Sequence, residues 1–170
     1  MAANRDGKSK GGFETKPRGP VGVGVIGLSI GRAHLRGYAK SPAARILAVC
    51  DTNAERAQAV AQEFGAPNVF TDYRELLKLE GLDAVSVCLP NYLHARVTLD
   101  CLRAGKHVIG EKPLALNARE GERMVQAARE AGRLLMTAFN NRFRGDVGVL
   151  QAFIKEGELG DIYCARTGWL

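Results

Sequence analysis

Aromatic side chains are scarce, at 6% of 170 residues. That scarcity argues against an aromatic base-stacking surface for single-stranded nucleic acid. Long apolar runs are missing too, since none approaches the roughly 18 residues of a membrane-spanning helix. Cysteine occurs only at positions 50, 88, 101 and 164. There is no C-x-x-C pair, and the gaps fit no zinc spacing, so no metal is expected. Cys50 and Cys88 lie in apolar runs and read as buried thiols of a reduced, cytoplasmic protein. The first 20 residues lack an apolar core and an A-x-A-like cleavage site, so they do not read as a secretory signal.

What is present is globular in character, with 46% hydrophobic and 25% charged residues. The length suits one domain, or one domain plus part of another, at roughly 100–200 residues per domain. The formal charge of +6 is uneven. Residues 1–20 carry Arg5, Lys8, Lys10, Lys16 and Arg18 against only Asp6 and Glu14. Gly, Pro, Lys and polar residues dominate there, and the segment reads as a disordered basic tail. The body has no basic run, so neither nucleic acid nor a membrane surface is an expected partner.

After the tail, short apolar β-type runs alternate with helical segments. The strand candidates are Val21–Ile26, Ile46–Cys50, Val69–Phe70, Ala84–Leu89, His107–Ile109 and Leu134–Phe139. Helices are expected over Arg32–Lys40, Thr52–Phe64, Asp72–Leu79, Asn91–Ala104 and from Asn117 to near Gly132. Thr52 and Glu55 have capping-box spacing, as do Asp72 and Glu75, and Gly65 and Gly105 stand at expected helix stops. Strands alternating with helices imply βαβ units. The expected fold is α/β, a Rossmann-type doubly wound parallel sheet of about six strands over residues 21–140. Asp146–Glu156 then reads as an amphipathic helix with Val147, Leu150, Phe153 and Ile154 on one face. Ile162–Leu170 reads as a seventh strand, whose edge and Trp169 would invite a partner or aggregation.

A literal G-x-G-x-x-G at Gly22, Gly24 and Gly27 misleads, because Gly22 and Gly24 fall inside the first strand. The dinucleotide fingerprint needs a strand before it and a helix after it. The loop that satisfies this is Gly27-Leu28-Ser29-Ile30-Gly31. Gly27 would make the turn, and Gly31 would let the helix pack closely on the strand. N–H groups at the helix start would face a pyrophosphate. Ser29 stands where the middle glycine is usual, and its hydroxyl could donate to a phosphate oxygen. Taken alone, this loop is equally an ordinary glycine turn.

Asp51 ends the second strand 24 residues past Gly27. An acidic residue about 20 residues on is where ribose hydroxyls are bound. A carboxylate there accepts from both adenosine hydroxyls and repels a 2′-phosphate, which favours NAD over NADP. Thr52 is the expected cap of the next helix and could also face the ribose.

Two further clusters follow later strands. Leu89, Pro90 and Asn91 would line a cofactor at the end of the fourth strand, with Asn91 also capping the next helix. His94, on its first turn, reads as a cofactor contact in preference to a catalyst. Glu111-Lys112-Pro113 follows the fifth strand. Pro113 restricts Lys112 to an extended conformation and aims its side chain. Beside a nicotinamide, Lys112 could take a hydroxyl proton, or donate one in the reverse direction. Glu111 could orient Lys112 or touch the cofactor. Without its context the pair reads first as a surface Glu-Lys turn.

These clusters occur together and in order. VGVIGLSIGRAH, AVCD, CLPNYLHA and AGKHVIGEKPLA resemble the glucose-fructose oxidoreductase/inositol dehydrogenase (Gfo/Idh/MocA) family, as do FNNRF and EGELGDIYCAR later on. The resemblance implies NAD(P)-dependent redox chemistry on a sugar, polyol or related carbonyl compound, with Lys112 as the catalytic lysine. It maps Gly27, Ser29, Gly31, Asp51, Pro90, Asn91, His94 and Glu111 onto cofactor-lining positions, and adds Asn140 and Arg142. It also implies that 141–170 is the first helix and strand of an incomplete substrate domain. The chain would then be a truncated product or fragment, or a partner would supply the missing half; a homo-oligomer is the other expected assembly. The competing expectation is a non-catalytic nucleotide-binding module or subunit.

Overall fold

The computed structural model describes residues 19–166 and 168. The expectations of a basic tail up to residue 18 and of a strand edge at Trp169 lie outside the described residues. Two compact units part between Ala138 and Phe139.

The first unit alternates strand and helix throughout. In chain order it holds β1 (Val21–Ile26), α1 (Gly31–Ala39), β2 (Ala44–Cys50), α2 (Ala54–Phe64), β3 (Asn68–Phe70) and α3 (Tyr73–Leu77). There follow β4 (Ala84–Val87), α4 (Asn91–Arg103), β5 (His107–Gly110), α5 (Ala118–Ala131) and β6 (Leu135–Thr137). The six strands form one sheet in the order β3-β2-β1-β4-β5-β6, and every pairing is parallel. This is the expected doubly wound plan, and its order reverses between β1 and β4.

The apolar strand runs arise because a parallel sheet is covered on both faces. Val25, Val49 and Cys88 pack into one layer with Leu28, Leu35 and Val60. Ile26, Ala48, Val85 and Val87 face the other layer, with Leu76, Val97 and Leu102. Each such fully buried Val or Leu contributes about 1.5–3 kcal/mol. Gly22 and Gly24 lie inside β1, as expected, and both are closely packed. A Cβ on Gly22 would lie 1.9 Å from the Gly81 carbonyl oxygen, and one on Gly24 would lie 3.0 Å from Leu82.

Local start signals held in part. Asp72 and Asn117 cap α3 and α5, their side chains accepting from the N–H groups of Arg74 and Glu120. Thr52 does not cap α2. Asn53 does, accepting from the Arg56 N–H at 2.8 Å. Asn91 is not a cap either. It is the first helical residue of α4, and Pro90 occupies the cap position without a side-chain bond.

The second unit contains a 3₁₀ turn (Asn140–Phe143) and α6 (Gly145–Glu156). Leu150, Phe153 and Ile154 remain about half exposed on α6. Ile162–Arg166, expected as strand, is irregular. A strand is held by ladder bonds to a neighbour, and no sheet pairing involves these residues. Among the described residues, no helix is long and apolar enough to cross a membrane.

Candidate functional site

Four loops leave the carboxyl ends of β1, β2, β4 and β5, side by side in the sheet. Ligands of open α/β sheets bind at this end, where the strand order reverses. The amino end is occupied by structural bonds instead. Asp83 accepts from the Gly22 N–H at 2.8 Å, and Lys106 donates to the Leu82 carbonyl at 2.9 Å.

The first loop turns at Gly27, whose φ of +87° suits glycine. A Cβ there would lie 2.3 Å from the Cys88 carbonyl oxygen. Gly31 opens α1 against β1, and a Cβ on it would lie 2.7 Å from Val25 Cγ1. Both glycines therefore have the steric roles expected of them. Ile30 precedes α1 with no side-chain cap bond, and the first turn holds no acidic residue. The helix start thus keeps a positive dipole end suited to an anion. Ser29 and Ile30 are exposed beside it. Leu28 differs from its neighbours: its side chain is core, 1% exposed, and its N–H donates to Asp51 Oδ2 at 3.0 Å.

Asp51 follows β2. Besides Leu28, it accepts from the Asn53 N–H at 2.9 Å, and Arg56 Nε lies 3.6 Å from Oδ2. Its carboxylate therefore ties the glycine loop to the start of α2. Two carboxylate oxygens offer about four acceptor sites, so capacity remains for a sugar hydroxyl. Thr52 is exposed next to it.

At the end of β4, Leu89 is half-buried and Pro90 and Asn91 are exposed. His94, expected as a cofactor contact, stands on the first turn of α4. It is 1% exposed and turned inward, with Nε2 at 2.7 Å from the Leu89 carbonyl and Nδ1 at 2.7 Å from the Pro113 carbonyl. Burial pushes the Cys88 thiol up to about 12, helped by the Glu111 charge, and Cys50 likewise to about 12 by burial and Asp51. Both are inert as nucleophiles at neutral pH.

After β5, Glu111 donates its N–H to the Val87 carbonyl at 2.9 Å. Its Oε2 accepts from the Lys112 N–H at 3.2 Å. The Lys112–Pro113 bond is cis, and Lys112 itself is exposed. Glu111 Oε1 lies 3.0 Å from His34 Nε2 on α1. His34 Nδ1 in turn lies 3.1 Å from Ser86 Oγ, which lies 2.6 Å from the Tyr38 hydroxyl. Burial raises the Tyr38 pKa, so this phenol stays protonated. The row Tyr38–Ser86–His34–Glu111 was not singled out from sequence. A polar Ser86 inside the apolar β4 run was the one available signal.

Asn140 and Arg142 lie in the second unit, exposed on the 3₁₀ turn. A surface groove of ≈ 620 Å³ between α4 and α5, lined by Leu99, Arg103, Arg123 and Glu130 among others, shares no residue with the four loops. Among the described residues, no three His, Cys, Asp or Glu side chains cluster so as to hold a metal.

Known proteins resemble this chain in sequence and fold. The chain is 34% identical to D-glucoside 3-dehydrogenase of Escherichia coli over 161 residues, covering 88% of this chain and 46% of that protein. It is 32% identical over 145 residues to myo-inositol 2-dehydrogenase of Thermotoga maritima, covering 85% and 43%. Among solved structures, a 3-ketoreductase from Actinomadura kijaniata in complex with TDP-benzene and NADP superposes with a TM-score of 0.76. It is 36% identical, over 81% of this chain and 44% of that one. Apo scyllo-inositol dehydrogenase from Lactobacillus casei gives 0.80 at 26% identity, over 86% and 44%. The chain spans less than half the length of each of these relatives. Residues 21–139 match the oxidoreductase family whose description is an NAD-binding Rossmann fold. The chain therefore belongs to the Gfo/Idh/MocA oxidoreductase family and carries its NAD-binding Rossmann part.

Proposed function

We propose that this chain binds a nicotinamide dinucleotide across the carboxyl ends of β1, β2, β4 and β5 and serves an oxidoreductase of cytoplasmic sugars, polyols or related carbonyl compounds. The observation that carries the reading is the convergence of the Gly27–Gly31 turn, Asp51 and Lys112 on adjacent loops at the point where the strand order reverses. The residues fit the cofactor on their own geometry. Gly27 and Gly31 leave no room for a Cβ, and α1 starts without an acidic residue that would repel a phosphate.

When bound, the nicotinamide supplies the hydride acceptor or donor. The chain's own residues supply the rest. The start of α1 and the Ser29 hydroxyl would hold the pyrophosphate, Thr52 would flank the ribose, and Leu89, Pro90 and Asn91 would line the cofactor from the end of β4. Asp51 accepts from the ribose hydroxyls and disfavours a 2′-phosphate, so NAD is preferred to NADP. Lys112 Nζ takes the proton of the substrate hydroxyl in oxidation and returns it to the carbonyl oxygen in reduction. Asn140 and Arg142 are assigned to the cofactor by family resemblance alone.

A calorimetric titration with NADH and NADPH tests this reading. Binding of NADH in preference to NADPH, retained in Lys112→Ala, supports it. A folded chain that binds neither nucleotide contradicts it.

A further inference from the structure

We propose that the β6 edge of the sheet and the outer flank of α5 form a dimer interface, with a second copy of this chain as its occupant. The proposal goes beyond the nucleotide reading and does not depend on it. β6 is one end of the sheet and pairs with β5 alone. The Leu134 carbonyl and the Ala138 N–H point inward, to Val108 and Gly110. Successive residues of a strand alternate in direction, so Leu135 and Thr137 present their backbone groups outward. Native sheets blunt such an edge with charge, proline or cover. The β3 edge follows that rule, with Pro67 before it and Asp72 soon after. Residues 134–138 (LLMTA) hold no charge and no proline, and Leu134 and Met136 are 53% and 43% exposed.

Self-complementarity makes a second copy the fitting occupant. An antiparallel partner about a two-fold axis at Met136 sets Leu135 opposite Thr137 of the copy, and the reverse. Each of these pairs would exchange two N–H···O bonds, and the two Met136 side chains would meet at the close, non-hydrogen-bonded position. Helix α5 extends the match. Met124 and Ala128 are its buried residues, and Arg123, Ala127 and Glu130 line the groove shared with α4. At about 100° per residue, Val125 lies on the flank away from α4, toward the β6 edge. Glu122, Val125, Gln126 and Arg129 line a shallow groove there. Among the described residues, neither Glu122 nor Arg129 forms an ion pair within the chain. The chain passes from α5 into β6 through residues 132–134, so the middle of the helix falls over the middle of the strand. The same two-fold axis then pairs Glu122 with Arg129 of the copy, twice, across Val125. It spaces the two α5 helices by two strand separations, about 9–10 Å, which is the distance at which helices pack. The copy would thus continue the strand layer and the helix layer together.

Analytical ultracentrifugation of the full chain over a concentration series tests this, and a monomer–dimer equilibrium is expected. Glu122→Arg alone, or Arg129→Glu alone, sets like charges opposite each other at both symmetric contacts and should weaken the dimer by about tenfold or more. The double variant, Glu122→Arg with Arg129→Glu, should recover the affinity to within about threefold. Met136→Lys puts a charge on the open edge and should weaken the dimer as well. All three side chains are exposed, so each variant should keep its fold, which circular dichroism checks. A chain that stays monomeric overturns the proposal and leaves the edge to a different protein. A dimer indifferent to these substitutions also overturns it and assigns association to another surface, such as the exposed apolar face of α6. Loss in both single charge variants without recovery in the double variant would overturn the two-fold pairing.

Discussion

His34 and Glu111, 77 residues apart in sequence, bring Nε2 and Oε1 to 3.0 Å. His34 belongs to the helix that starts at the glycine loop, and Glu111 directly precedes Lys112. The pair therefore couples the proposed phosphate-binding element to the proposed acid/base. It is largely buried, at 11% and 15% side-chain exposure.

Removing the histidine strands a largely buried carboxylate. His34→Ala should cost about 1–3 kcal/mol of stability, the penalty of an unpaired buried polar group. Pairing His34→Ala with Glu111→Gln should recover part of that loss, because the amide is cheaper to leave without its partner. Urea unfolding of the two single variants and the double variant checks this.

Asp51 does two jobs at one carboxylate, pinning Leu28 and facing the proposed ribose. Asp51→Ala should weaken NADH by about tenfold, the scale of a hydrogen bond to a charged group. It should leave NADPH equal or improved, since Arg56 then faces the 2′-phosphate without its acidic neighbour. Calorimetry with both nucleotides reads the ratio. An unchanged ratio would remove Asp51 from cofactor choice.

The glycine turn has no steric slack. Gly27→Ala forces a Cβ onto the Cys88 carbonyl at a positive φ and should destabilise by about 2–4 kcal/mol. Gly31→Ala meets Val25 and should cost about 1–3 kcal/mol. Ser29→Ala, at an exposed position, should leave the melting temperature in place. Thermal melts of the three variants rank them.

His107 gives the fold a pH dependence of predictable sign. Burial and the nearby Arg133 charge lower its pKa from 6.5, against a smaller opposing effect of Asp83. Its Nδ1 accepts from the Leu134 N–H at 2.9 Å, which the neutral ring alone can do. The folded state thus binds this proton less readily than the unfolded chain. The contribution is full above pH 6.5 and is lost as pH falls from 6.5 through the lower folded value. Melting temperature should decline over that range, and His107→Gln should flatten the decline.

Much of the fold was legible in the sequence because its signals are local. An apolar run followed by glycine and a helix start identified the Gly27 turn. The D-x-x-E of Asp72 and Glu75 marked a helix start in the same way. Where several local solutions compete, sequence is ambiguous. Asp51, Thr52 and Asn53 can each cap a helix, and the choice fell to Asn53 once Asp51 was engaged by Leu28, a residue 23 positions away. The contacts of His94 with the Leu89 and Pro113 carbonyls were not legible, because Pro113 lies 19 positions away. His34, Ser86 and Tyr38 form a row only when α1 packs against β4. The Ile162–Arg166 run has β-type residues, but propensity without a neighbouring strand does not make a ladder.

The central claim is the location of the nucleotide at the carboxyl ends of the strands. Amide chemical-shift mapping of the ¹⁵N-labelled chain during an NADH titration tests it most directly. The account predicts the largest shifts at Ser29–Gly31, Asp51–Asn53, Asn91 and Glu111–Lys112, with little change at Gly22 or Asp83 on the amino side. Shifts confined to the α4–α5 groove around Arg103 and Arg123, or none at all, would contradict it.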